Sequence, residues 1–215
     1  KEGRRDRDFG DTILYETKEK VNAYTSALDF IKKFENSKLF YGLEYVFNKV
    51  YSKGIQTNIN DENTTETASR YPDGSSWQST AAYVSLQSKF SENISFQAGF
   101  RYNHILLVAN FDTPYYDFSF MEAVINTGAL TGSAGFNWQA SNNFSWRLNF
   151  STAFRAPNID DVGKIFDSEP GSVVVPNPEL KPEYAYNGEL GVVLKLGDKT
   201  TIDLTGYLTF LEDDR

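Results

Sequence analysis

Over most of its length this chain alternates apolar and polar residues one by one, and that period of two limits it to strands whose two faces meet different surroundings. From Ile94 to Asn103 one face reads Ile94, Phe96, Ala98, Phe100, Tyr102 and the other Ser95, Gln97, Gly99, Arg101, Asn103. From Phe144 to Arg155 the apolar set is Phe144, Trp146, Leu148, Phe150, Phe154, set against Arg147, Asn149, Ser151 and Arg155. From Thr201 to Phe210, Ile202, Leu204, Leu208 and Phe210 oppose Thr201, Asp203, Thr205 and Thr209. None of the three apolar faces carries a charge. Five segments of lower contrast, 21–34, 39–51, 77–90, 128–139 and 184–196, complete a set of about eight strands of about 10 to 14 residues. Strands in soluble proteins are typically about 5 to 6 residues long, whereas a tilted strand crossing a bilayer needs about 9 to 11.

The connections carry a second pattern. Short turns rich in Asn, Ser, Asp and Gly are expected at 35–38, 91–93, 140–143 and 197–200. Long stretches at 52–76, about 107–127 and 156–183 separate them. Short and long connections alternate strictly, as in an up-and-down antiparallel sheet of the outer-membrane barrel type, with tight turns at one end and long loops at the other.

Composition fits this layout. Mean hydropathy is −0.46 and only 40% of residues are hydrophobic. No run approaches the roughly 18 apolar residues of a spanning helix. Yet 17 Phe, 13 Tyr and 3 Trp make an aromatic excess, and rings gather at the short turns: Phe34 and Phe40, Phe90 and Phe96, then Trp138, Phe144 and Trp146. They are expected to form an interfacial girdle, with cross-strand ring packing as the plainer alternative. The net charge of −8 argues against nucleic acid as a partner, because phosphate binding needs a basic surface. One His and no Cys leave no thiolate chemistry, disulfide framework or His-rich metal cluster. No Ser-His pair stands at usable spacing, so an enzyme is not expected. The opening residues lack a signal-peptide pattern, so the chain is expected to be mature or internal sequence.

One succession of motifs goes further. Phe154, Arg155, Ala156, Pro157, Asn158 is followed after about twenty residues by Asn177, Pro178, Glu179, Leu180, Lys181, Pro182, Glu183, and then by Asn187, Glu189 and Gly191 at N-x-E-x-G spacing. This succession resembles the barrel of TonB-dependent outer-membrane receptors, and Ala98, Gly99, Phe100, Arg101, Tyr102 is similar to a recurrent strand phrase of that family. The resemblance implies a transmembrane β-barrel of about 22 strands, of which this chain supplies about eight in residues 21–215, with 1–20 as loop or strand end. It implies bacterial outer-membrane localisation, contact with outer-membrane lipid, an N-terminal plug absent from this chain, and coupling to the TonB complex through that plug. The implied activity is active uptake of a scarce small molecule such as an iron-siderophore complex, with no cofactor. Two alternatives remain open: a carbohydrate-binding β-protein, soluble or at the surface, and a passive outer-membrane porin.

Candidate ligand contacts are Tyr115, Tyr116 and Asp117, aromatic and acidic together in a long loop, with Arg155 and Asn158. Arg147, Arg155, Lys181 and Glu183 are expected to meet a plug or the lumen. Arg155 shares a face with Arg147 and Asn149, while Pro157 ends ladder pairing beyond it; anchoring the loop is the competing role. Segment 158–176 contains no His, which weakens a haem-receptor reading, and His104 alternates with the lipid-side set. Asn58, Asn60, Asp61, Glu62 and Asn63 form an oxygen-rich cluster without EF-hand spacing. Asp160 and Asp161, read as strand neighbours, are expected to point to opposite faces.

Overall fold

A computed structural model describes residues 2–7, 10–111, 115, 120–163, 167–169, 172–173, 177 and 180–212. In chain order its elements are β1 (Glu2–Asp6), β2 (Ile13–Lys33), β3 (Ser37–Asn58), β4 (Thr64–Thr67), β5 (Ser76–Lys89), β6 (Ile94–Asn110), β7 (Glu122–Ser141), β8 (Phe144–Arg155), α1 (Ile159–Gly163), β9 (Asp167–Glu169), β10 (Ser172–Val173), β11 (Glu183–Leu196) and β12 (Thr200–Glu212). One 10-stranded sheet runs β1-β2-β3-β5-β6-β7-β8-β11-β12, with β4 beside the loop end of β3; β9 and β10 form a separate pair. The eight long strands are the expected set, all antiparallel and paired with their sequence neighbours.

Register carries each face across the sheet. Asp29, Gly42, Tyr83, Arg101 and Thr131 stand side by side on β2, β3, β5, β6 and β7. Arg147 and Gly191 continue the same face on β8 and β11. The polar side chains of this inner face bind one another. Arg101 Nη2 lies 2.8 Å from Glu44 Oε1, and its Nε donates to Asn103 Oδ1 at 2.8 Å. Asn103 donates in turn to Ser79 Oγ at 3.2 Å, and Arg147 pairs with Asp203 on β12. The Tyr83 ring lies over Gly42 and its hydroxyl donates to Asp29. A Cβ on Gly42 would stand 2.8 Å from that ring, so the glycine makes room for it.

The opposite face is apolar and open. Leu43 is 55% exposed, Phe100 61%, Leu130 61%, Phe150 56% and Leu204 63%. A contiguous apolar surface of this size is a membrane or partner surface and not one that faces water. In a soluble sandwich the same residues would be covered by a second sheet, and among the described residues no sheet covers them.

Four strands run further towards the loop end than alternation predicts. β2 begins at Ile13 and not Val21, β3 reaches Asn58 and not Tyr51, β6 continues to Asn110, and β7 starts at Glu122. Residues 13–20, expected to be loop or strand end, are therefore ladder. The extensions of β2 and β3 lack the apolar stripe, because beyond a lipid layer no outward residue has to be greasy, yet the backbone ladder continues from Lys20↔Tyr51 to Ile13↔Asn58. β1 adds a short strand on β2, with Glu2 opposite Glu19.

The expected girdle is partly rearranged. Phe90 and Phe96 lie 6.3 Å apart, Phe144 and Trp146 pack edge to face at 5.3 Å, and Trp138 stands opposite Trp146. Phe40 does not join them. Its partners are Ile31 and Ser85 on the inner face, because in β3 the outward set is Leu39, Tyr41, Leu43 and Tyr45.

Candidate lumen mouth

On the inner face, alternation gives way near the loop end to a patch that is apolar inside. Ile105, Leu107 and Ala109 of β6 and Ala123 and Ile125 of β7 are buried there. The cover is α1. Its Ile159 and Val162 join Val50, Leu107, Ala109, Phe111, Ala123 and Ile125 in one cluster, with Tyr71, Trp77, Phe120 and Leu180 packed against it. The start of the loop after β8, through α1, thus folds inward over the barrel face.

Short-range chemistry forms the helix. Pro157 cannot continue the ladder, and Asn158 caps the next turn, its Oδ1 accepting from the backbone N–H of Asp160 at 2.7 Å and of Asp161 at 3.1 Å. Asp161 returns the contact, Oδ2 accepting from the Asn158 N–H at 3.0 Å. The strand expectation for Asp160 and Asp161 is therefore corrected: they are neighbours on a helical turn, and each holds a different element. Asp160 accepts from the hydroxyl of Tyr71, in the loop between β4 and β5. Asp161 Oδ1 takes the Arg155 guanidinium at 2.7 Å.

Arg155 binds on two sides, since its Nη1 also lies 3.3 Å from Glu183 Oε1, directly across the β8–β11 ladder. The strand that leaves the mouth, the strand that returns and the helix between them share one guanidinium. Tyr71 is the most perturbed acid here: burial, then its hydrogen bond to Asp160 and the charge of that carboxylate, push the phenol up to about 12.

Beneath Tyr71 and α1 lies a cavity of about 500 Å³ bordered by Glu19, Val50, Tyr71, Trp77, Asn158 and Asp160. Glu19 Oε1 and Trp77 Nε1 are buried there without a hydrogen-bond partner among the described residues. The cavity has one acceptor and one donor in reserve beside aromatic surface. Sequence reasoning missed Glu19, Tyr71 and Trp77, because nothing in their local pattern marks residues 19, 71 and 158–160 as neighbours.

The other expected residues are distributed as follows. Tyr115 is 45% exposed and borders a second hollow with Ser52, Lys53, Asn110 and Phe111; Tyr116 and Asp117 lie outside the described residues. Lys181 is exposed just before β11. Arg147 sits on the inner face, far along β8 from the mouth, so it does not join Arg155. His104 is exposed on the outer face beside Tyr102. The oxygen-rich cluster makes a turn: Asn58 Oδ1 accepts from the Asn60 N–H at 3.0 Å and Asp61 Oδ1 from the Asn63 N–H at 3.1 Å.

Long antiparallel strands, a polar face whose charges pair among themselves, an open apolar face and a helical turn folded over the inner face at the loop end define a transmembrane β-barrel wall. The family described as "TonB dependent receptor-like, beta-barrel" matches residues 2–213, and the chain belongs to it. It is 30% identical over 131 residues to the hemoglobin-haptoglobin utilization protein B of Neisseria meningitidis serogroup C. That match takes in 57% of this chain and 16% of the relative, so only a small part of the relative's length is represented. Among solved structures, the copper transporter OprC superposes with a TM-score of 0.77 at 14% identity, over 92% of this chain and 31% of OprC. The ferric yersiniabactin uptake receptor FyuA from Yersinia pestis does so with 0.67 at 13%, over 98% and 31%. At these identities the structures share the fold.

Proposed function

We propose that this chain is part of the wall and mouth of an outer-membrane receptor that takes up a scarce iron-bearing ligand, an iron-siderophore complex, by active transport energised through TonB. The observation that carries the proposal is the inward-folded loop of α1, tied by Arg155, Asp161, Glu183, Tyr71 and Asp160 above a cavity with unpaired Glu19 and Trp77. A passive porin needs no such built platform at its mouth, whereas a receptor needs a surface that meets one ligand. The remaining strands of a barrel of about 22 and the plug that would bind TonB belong, on this view, to the rest of a longer protein. Both edges of the described sheet, β1 and β12, would otherwise leave backbone groups that lipid cannot satisfy.

Haem uptake is the second reading, favoured by the curated relatives, which are named for hemoglobin-haptoglobin utilization. Against it stands segment 158–176, which holds no His to ligate iron. The deciding experiment uses the full-length gene in a receptor-deficient host under iron limitation. Growth on a ferric siderophore, abolished by a protonophore or by loss of TonB, is the expected result. Growth restored by haem alone would replace the first reading with the second, and uptake insensitive to both treatments would sink active transport.

A further inference from the structure

The outward face of the β2–β3 hairpin carries a concentration of positive charge above its aromatic level that the rest of the outer face lacks. Cross-strand pairs on this face read, from the turn end towards the loop end, Lys32 and Leu39, Phe30 and Tyr41, Leu28 and Leu43, Ser26 and Tyr45, Tyr24 and Phe47, then Asn22 and Lys49, Lys20 and Tyr51, Lys18 and Lys53. The Tyr24 and Phe47 rings stand 6.4 Å apart and mark the upper edge of the apolar band. Immediately beyond it come Lys49, Lys20, Lys18 and Lys53. By register every Lys and Arg of β5 to β8, β11 and β12 (Lys89, Arg101, Arg147, Arg155, Lys195) points inward. The concentration also runs against a net charge of −8.

Among the described residues no ion pair neutralises it. Lys18 and Lys53 face each other directly, an arrangement that destabilises an antiparallel pair, and on its other side Lys18 meets Gly3, which has no side chain. Among the described residues none of these four lysines has a carboxylate within salt-bridge distance. The nearest outward acid on β2, Glu16, is taken by Arg5 at 2.6 Å, and Asp73 accepts the Ser52 N–H at 2.9 Å. Glu66, opposite Ile55 on β4, remains as one acid beside four cations. Lys20 lies over the Tyr51 ring at 6.0 Å, and Lys49 reaches the Gly74 carbonyl; neither contact removes charge.

We infer that Lys18, Lys20, Lys49 and Lys53 form a binding site for the phosphate groups of an anionic lipid in the outer leaflet. Height fits the assignment. At about 3.3 Å per residue and a tilt of about 45°, Lys49 stands roughly 5 Å and Lys53 roughly 14 Å above Phe47, and flexible lysines extend that range towards the headgroups. Because the face points away from the lumen, strands or a plug contributed by the rest of the protein do not cover it. The inference rests on the transmembrane reading, and the test separates the two.

The test uses the full-length receptor in a neutral detergent, probed with diphosphorylated lipid A, phosphatidylcholine and inorganic pyrophosphate, and read by native mass spectrometry and by the unfolding midpoint. The wild type should retain lipid A and gain thermal stability from it, with the gain falling as salt rises. The triple variant K18Q/K20Q/K53Q should retain at least about tenfold less, the loss of roughly 1.4 kcal/mol of binding, whereas K32Q at the turn end should behave as the wild type. Lys53→Glu, which gives Lys18 a partner and so protects the fold, should also lose the lipid. Equal retention by wild type and triple variant, or equal stabilisation by phosphatidylcholine, overturns the site. Stabilisation by pyrophosphate equal to that by lipid A overturns the lipid assignment. A receptor that stays monodisperse without detergent overturns the transmembrane reading itself.

Discussion

The hydroxyl of Tyr71 donates to the carboxylate of Asp160, joining two loops that lie 89 residues apart in sequence. Because the bond needs the phenol proton, it makes the closure of the mouth depend on pH. The phenol's ordinary value is 10.0 and here it is about 12. A raised folded value means that between these limits the folded protein holds a proton the unfolded chain has lost. The stabilisation is thus fully present below pH 10 and is lost as pH rises through about 12. The stability difference between wild type and Tyr71→Phe, measured by denaturant unfolding, should be constant up to pH 10 and shrink above it. A difference that stays flat to pH 12 would refute the coupling.

Val162 is fully buried between α1 and the inner face of the sheet. Truncating it to Ala removes two methyl groups from a packed cluster and should destabilise the docked loop by about 2 kcal/mol. Since the strands below do not depend on it, global unfolding should change little. Limited proteolysis within 156–182 should accelerate severalfold, and an unchanged cleavage rate would show that the helix is not held by this contact.

Arg155 is more exposed, and exposed ion pairs contribute about 0 to 1 kcal/mol. Arg155→Ala should therefore leave global stability within about 1 kcal/mol of the wild type while loosening the junction of β8, α1 and β11. The expected signature is weaker ligand binding with normal expression and normal heat resistance on gels. Loss of the folded barrel would mean that the residue serves the ladder instead. Lysine, unable to span Asp161 and Glu183 with a planar fork, should restore only part of the binding.

Gly42 is a tightly constrained position of the wall. A Cβ there would clash with the Leu28 carbonyl oxygen as well as with the Tyr83 ring, and backbone cannot move aside as a side chain can. Gly42→Val should cost about 1 to 3 kcal/mol and release the Tyr83 hydroxyl from Asp29. Gly206, with nothing within 4 Å of a built Cβ, provides the control: Gly206→Ala should be close to neutral in the same melt.

The sequence by itself determined the eight long strands, the alternation of tight turns and long loops, and which face of each central strand meets lipid, because a period of two is a local consequence of the pleat. Pro157 marks the end of its strand in the sequence, whereas the helical turn that Asn158 begins, against the strand expectation for Asp160 and Asp161, is seen only in the structure. Ligand candidates drawn from composition fared differently: Tyr115 borders a hollow, while Asn158 spends its side chain on capping α1. Only the tertiary structure decided where β2, β3, β6 and β7 stop, because in β2 and β3 the outward residues lose their apolar mark while the ladder goes on, and in β6 and β7 the inner face itself turns apolar. It alone revealed why Leu107 and Ala109 face inward, since their cover, Ile159 and Val162, arrives from a loop some fifty residues later. And it alone set Lys18 opposite Lys53 and Tyr71 beside Asp160, because register between strands and docking between loops are long-range facts that no local pattern records.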